Sequence, residues 1–392
     1  MIFNTWDYYL LFLLPASIVF RMTHPAIRPW ILASTGCFFF TYFSYTQLGG
    51  AVGAACLLIF LWESFVSRFY KPNSWICILG VVQTVLFLAV FKYRNFLSGI
   101  VWHNAADNPL YWKNAFLPLG ISFFTFEFLH YAWDRYRGKT ETGTLGEYMA
   151  FILFFPTMVA GPIKRYQDFL PKLRAVSSEW LVDWHRGITR ILTGLVKKFA
   201  IADLLTAYTN HLNIADISVA NRAILPLWLL AYGLKIYTDF SAYSDIAIGS
   251  ARLFGIRVPE NFDWPYLQTN ITDFWRQWHM SLSSWLLDYI YIPLGGSRVS
   301  VPRICVNLLV TMFISGLWHG AGYNFILWGL LHGFMLAVHR WWRHRPDAIP
   351  STSRVVHFGC GLFTFVCVNL AWAFFCMDLR TALFFFTKLI RG

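Results

Sequence analysis

ICVNLLVTMFISGLWHGAGYNFILWGLLHG, residues 304–333, reads as two apolar runs joined at a histidine. The first run, Ile304 to Leu317, carries no charge and continues into Trp318. Gly320, Ala321 and Gly322 interrupt the pattern before a second run reaches residue 341. Runs of this length predict spanning helices, because in lipid each backbone polar group must be satisfied inside its own segment. His319 stands at the interruption. A buried polar side chain without a partner is costly, and most buried histidines are structural. A break between spans, however, is where backbone can line a cavity. Gly320 and Gly322 would let backbone approach closely there.

The rest of the chain extends this reading. Its 392 residues are 57% hydrophobic and 13% charged, against roughly 25% charged in ordinary globular domains. With 19 Trp and 38 Phe, the composition is that of an all-α polytopic membrane protein. Apolar segments near 7–21, 29–47, 49–67, 74–92, 115–133, 148–163, 186–207, 223–240, 302–318, 321–341 and 355–377 predict roughly 11 transmembrane helices. Shorter stretches at 241–256, 271–294 and 381–390 predict re-entrant or interfacial helices. The chain reads as a single integral-membrane domain over 1–392, with N-terminal spans over 1–114, a motif-bearing core over 115–340, and a C-terminal span and tail over 341–392.

The net charge of +12 fits basic cytoplasmic loops and not nucleic-acid binding. The seven cysteines lie in or beside apolar runs without ligand spacing, so they read as small core residues and no metal is expected. The N-terminus lacks a basic region and a cleavage site, and reads as a first span. Arg21 and Arg28 in the first loop, and Arg68 and Lys71 in the third, place that N-terminus outside. Arg135, Arg137 and Lys139, and then Lys164, Arg165, Lys172 and Arg174, flank the segment 148–163 with positive charge on both sides. Pro156, Gly161 and Pro162 therefore predict a broken or re-entrant element there.

Four stretches carry chemistry. In NITDFWRQWHMSLSSWLLDYIYIPLGG (270–296) the apolar and aromatic residues fall at helical spacing. Thr272, Arg276, His279 and Ser283 fall on an adjoining polar stripe. The expectation is one amphipathic helix, either interfacial or lining a wet cavity. In LKIYTDFSAYSDIAIG (234–249), Lys235 and Asp239 are placed to pair at four residues' spacing, and Asp245 adds a second carboxylate. These groups are either a structural knot or a polar path. Glu127 sits in an aromatic run, where an intramembrane carboxylate marks a functional candidate; His130 or a lysine of another helix could pair with it. His332 falls near the middle of its span, whereas His339 and His344 read as solvated.

Taken together, the chain resembles the membrane-bound O-acyltransferase family in its bacterial polysaccharide-modifying branch. The matching pieces are PLGISFFTFEFLHYAWDRYRG, FFPTMVAGPIKRYQDFLPKL, IYTDFSAYSDIAIGSARLFGIRVPENFDWPY, ITDFWRQWHMSLSSWLLDYIYIPLGGSR and GLWHGAGYNFILWGLLHG. The resemblance implies spans and re-entrant helices around a central tunnel. It implies transfer of an acyl group, most simply acetyl, from a cytoplasmic thioester to a hydroxyl of an exported or cell-envelope polysaccharide. D-alanyl transfer from a carrier protein to a teichoic-acid-like polymer or lipid is the alternative. A transporter or flippase has only generic support. No bound cofactor is implied; acetyl-CoA or an acyl carrier protein serves as co-substrate. The partners implied are membrane lipids, an extracytoplasmic acyltransferase or esterase-like protein, a cytoplasmic acyl carrier and the polysaccharide, in the bacterial cytoplasmic (inner) membrane.

His319 corresponds to the family's signature histidine, regarded as catalytic, and His279 to a second functional histidine of this branch. A histidine near pKa 6.5 suits removal of a hydroxyl proton at neutral pH. In this reading Arg276 holds a phosphate of the donor arm, and Ser283, Asp239, Asp245, Trp318 and Asn324 line the substrate path. The two histidines are 40 residues apart, so only the fold can unite them.

Overall fold

The computed structural model describes residues 3, 5–48, 50–102, 108–113, 117–176, 179–344 and 353–391. Among them the regular structure is helical, apart from one antiparallel bridge between Phe262 and Trp278. Among the described residues, three helices combine the length and apolarity needed to cross a bilayer: Trp75–Val101, Val301–His319 and Arg354–Cys376. The first presents Leu79, Val82, Val85 and Leu86 outward, and the third presents Phe358, Leu362, Phe363 and Val366. Apolar side chains turned outward along a spanning helix suit lipid contact.

Several segments depart from the sequence reading. The stretches 223–240 and 241–256 are one helix, Leu225–Leu253, of 29 residues. At 1.5 Å per residue it is about 43 Å long, more than the roughly 30 Å of a hydrocarbon core. The segment 148–163 is broken, as its prolines and glycine predict: Leu145–Ile152 ends, and Phe155–Met158 is a single turn. The stretch 271–294 is not one helix. It divides into Ile271–Gln277, Met280–Leu286 and a wider turn over Leu287–Tyr291.

The chain forms two compact units. One comprises residues 1–195 and 243–259, the other residues 196–242 and 260–392. In the first, local signals set the helix starts. Ser74 accepts from the backbone N–H of Ile76 at the head of Trp75–Leu88. Thr144 and Glu147 form a reciprocal capping box at the head of Leu145–Ile152. The core packs Phe39, Phe60, Phe124, Phe128, Tyr131 and Phe151. Buried charges in this unit take ionic or hydrogen-bond partners, as burial demands: Glu63, for one, accepts from the Tyr70 hydroxyl at 2.9 Å and from the Gln83 amide at 3.0 Å. Glu127 takes Lys164, not His130, as its partner, and Lys164 Nζ lies 4.6 Å from the Phe151 ring centre. His130 instead bonds the Phe126 carbonyl through Nδ1 and accepts from the Tyr166 N–H at Nε2. Asp183 receives Arg21 at 2.9 Å and Arg252 at 2.8 Å, and Asp245 receives Arg190 at 2.6 Å.

The second unit packs Trp228, Phe274, Trp275, Trp328, Trp372 and Phe385 in its core. Val301–His319 and Tyr323–Arg343 form an antiparallel pair joined by residues 320–322. Glycines let their backbones meet: a Cβ on Gly316 would fall 2.3 Å from the Phe325 carbonyl oxygen, and one on Gly329 2.3 Å from that of Met312. The expected pairing of Lys235 with Asp239 does not form. Lys235 donates to Thr209 Oγ1, whereas Asp239 binds Lys198 at 2.9 Å, which also reaches Asp203 at 2.7 Å. A lysine from a separate helix outcompetes the one four residues away.

Candidate active site

The break between Ile271–Gln277 and Met280–Leu286 creates the site. Asn270 caps the first helix by accepting from the Asp273 N–H. Trp278 then turns extended, and His279 adopts the left-handed conformation, φ 45° and ψ 54°. A non-glycine residue there costs on the order of 1–3 kcal/mol and persists only when its surroundings hold it. The hold comes from residues 261–263, which run antiparallel beside the break. Asp263 N–H donates to the Gln277 carbonyl at 3.1 Å, and Met280 N–H to the Asn261 carbonyl at 2.9 Å. The expected polar stripe therefore does not exist as a stripe, because the helical register is lost at residues 278–279.

His279 is buried, and its Nδ1 lies 3.0 Å from Asn261 Oδ1. The same oxygen accepts from the Ser281 N–H at 3.3 Å and the Ser281 hydroxyl at 2.8 Å. His279 Nε2 is buried and has no hydrogen-bond partner. Its ring packs edge-on to Phe240 at 4.7 Å and to Trp318 at 6.1 Å, with Phe262 stacked at 6.5 Å.

His319, the last residue of its helix, is half-buried. It packs against Trp318 at 4.7 Å, Phe375 at 4.9 Å and Trp328 at 5.0 Å. Trp318 touches both histidines. Their ring centres are thus at most about 11 Å apart, the sum of the two separations from Trp318. Beyond Trp328 lies buried His332, 4.8 Å away. It accepts at Nδ1 from the indole N–H of Trp275, and its Nε2, like Trp328 Nε1, has no partner.

The remaining candidates fall at different distances from this cluster. Asn324 donates to the Phe374 carbonyl at 3.1 Å, which ties its helix to the turn bearing Phe375. Ser283 donates to the Trp278 carbonyl, within the break itself. Asp239 precedes Phe240, the ring against His279, but its carboxylate is engaged by Lys198. Arg276 points outward: its side chain is 72% exposed and pairs with Asp273 at 3.0 Å. Asp245 belongs to the other unit, with Arg190. His339, expected to be solvated, is half-buried against Thr272 at 2.7 Å. Asn261, Phe240, Trp328 and Phe375 were not singled out from the sequence. For Asn261 the available signal was an amide inside the polar stretch 257–273 that leads into the histidine-bearing segment.

This is a helical membrane protein with two histidines gathered around one tryptophan. The sequence profile of the membrane-bound O-acyltransferase family matches residues 55–377, which include both. The chain belongs to that family. It is 38% identical over 342 residues to a probable alginate O-acetylase of Azotobacter vinelandii, covering 86% of this chain and 64% of that one. It is 33% identical over 411 residues to a peptidoglycan O-acetyltransferase of Helicobacter pylori, covering 93% and 73%. It is 30% identical over 320 residues to a teichoic acid D-alanyltransferase of Bacillus subtilis, covering 76% and 78%. The chain thus spans a little under two thirds of the length of the alginate O-acetylases that it matches.

Proposed function

We propose that this protein is an O-acyltransferase that moves an acetyl group from a cytoplasmic thioester to a hydroxyl of a cell-envelope or exported polysaccharide. The observation that carries the reading is Trp318 in contact with both His279 and His319, with His279 Nε2 buried and unpartnered. An alcohol is a poor nucleophile at neutral pH, so its proton must be taken as it attacks. His319 takes that proton. The ester C–O bond forms, the thioester C–S bond breaks, and the proton passes to the departing thiol. His279 accepts a hydrogen bond at Nε2 from the hydroxyl or from the donor arm and orients it. Aromatic walls exclude water, which would otherwise hydrolyse the thioester.

The wider arrangement follows from this reading. Roughly eleven spans in the bacterial inner membrane surround a tunnel that joins the two faces, and Arg276 binds a phosphate of the donor arm at the surface. Acetyl-CoA or an acyl carrier protein delivers the thioester, and an extracytoplasmic esterase-like protein is the partner on the acceptor side. D-alanine is the second reading, favoured by one observation: the chain covers 78% of the D-alanyltransferase but 64% of the alginate enzyme.

The test replaces His319 by Ala in the whole protein, with accumulation in the membrane checked. Removing a general base lowers rate by about 10²–10⁴-fold, so acyl groups on the envelope polymer fall to background. Undiminished acylation at normal protein level sinks the proposal. Mass analysis of the released acyl group decides between acetate and D-alanine.

A further inference from the structure

We propose that Asn261 is a positioning residue: it fixes His279 as the tautomer protonated on Nδ1 and leaves the Nε2 lone pair for the substrate. This inference rests on the reading that His279 takes part in acyl transfer. The tautomer follows from donor and acceptor counting. Ser281 N–H can only donate, and it points at Asn261 Oδ1. The atom facing His279 is therefore the amide oxygen, which can only accept. His279 Nδ1, at 3.0 Å from it, must carry the proton. In a neutral imidazole the other nitrogen is then an acceptor. That nitrogen is the buried, unpartnered Nε2.

Asn261 also fixes the ring's direction. It is fully buried, and its backbone carbonyl receives the Met280 N–H. One residue thus bonds the backbone on the far side of His279 and the imidazole itself. This places the histidine in a backbone conformation, φ 45°, that L residues rarely adopt. The rings packed on His279 are Phe240, Phe262 and Trp318. The polar groups hydrogen-bonded to it or to the oxygen it faces are Asn261, Ser281 and Ser283. None of these six is charged, so the amide oxygen is the polar handle on the ring. An uncharged acceptor is the choice that fixes the tautomer without drawing the imidazole toward its protonated form. A carboxylate in the same place would favour imidazolium and remove the Nε2 lone pair at neutral pH.

The experiment uses the full chain in inverted membrane vesicles, with radiolabelled acetyl-coenzyme A as the donor probe. It compares wild type, Asn261→Ala, Asn261→Asp and His279→Ala across a pH series. Misplacing a reacting group costs roughly 10²-fold in rate, and a loss of that order is expected for Asn261→Ala. Asn261→Asp keeps the acceptor and recovers most of the rate at high pH. The acid limb of its pH profile moves up by about one unit or more, because a carboxylate now faces the ring. If Asn261→Ala does not accumulate, the Asn261→Asp profile decides alone, since its limb is read within one protein. Three results overturn the proposal. Asn261→Ala at wild-type rate while His279→Ala is inactive removes Asn261 and leaves the acyl-transfer reading standing. Equal losses in both Asn261 variants with an unmoved pH limb mean a purely structural role. His279→Ala at wild-type rate removes the underlying reading as well.

Discussion

Gly329→Ala tests whether helix packing sets the geometry around His319. A Cβ at this position lies 2.3 Å from the Met312 carbonyl oxygen and 3.1 Å from the Gly316 Cα. Both neighbours are backbone, so no side chain can swing aside. Ordinary contact begins near 3.4 Å, so Val301–His319 and Tyr323–Arg343 must part by about 1 Å. His319 lies three residues beyond Gly316, and Trp328, adjacent to Gly329, packs 5.0 Å from it. The separation therefore acts directly on that contact. Overpacking of this kind costs about 1–3 kcal/mol of stability, while a 1 Å misplacement at a reacting group costs roughly 10²-fold in rate. The two readouts are thermal melting of the purified protein and alkali-released acyl groups on the envelope polymer. A modest fall in melting temperature with acylation near background is expected. Gly359→Ala is the control, because its added Cβ meets nothing within 4 Å. Wild-type acylation by Gly329→Ala, or equal damage from Gly359→Ala, refutes the reasoning.

Other variants probe separate links. Lys164→Met strands the buried Glu127 carboxylate and should cost about 3–5 kcal/mol in melting experiments, with partial recovery when Glu127→Gln is added. Thr144→Ala removes the capping box at Leu145 and should cost about 1 kcal/mol. Trp275→Phe keeps the ring but leaves His332 Nδ1 without its donor, for about 1–3 kcal/mol. Arg276→Ala breaks only an exposed pair, so stability should change by less than about 0.5 kcal/mol. If Arg276 grips the donor's phosphate, KM for acetyl-coenzyme A rises in the same variant with kcat unchanged.

What the sequence discloses and what it hides divide along a physical line. Apolar length is local, so Val301–His319 and Tyr323–Arg343 match the expected 302–318 and 321–341 within two residues. Breakers are local too, and Pro156 with Gly161 does mark a broken element. The polar stripe failed because its premise, one continuous helix, is decided by a partner distant in the chain. Nothing within residues 271–286 announces that residues 261–263 will capture the backbone at Trp278 and Met280. Ion pairing failed for the same reason. Spacing makes Lys235 available to Asp239, but Lys198 on another helix reaches the carboxylate.

Trp318 shows how the two kinds of information meet at the site. Its adjacency to His319 is written in the chain, whereas its contact with His279 arises only when the break at residues 278–279 turns that imidazole toward the end of Val301–His319. A straight helix through residue 279 would keep His279 on a face shared with outward-pointing Arg276, three residues before it. Breaking the helix separates the two: Arg276 stays at the surface and His279 goes into the aromatic core. The strained backbone of His279 is therefore the device that converts a surface-type amphipathic sequence into one buried nitrogen beside Trp318.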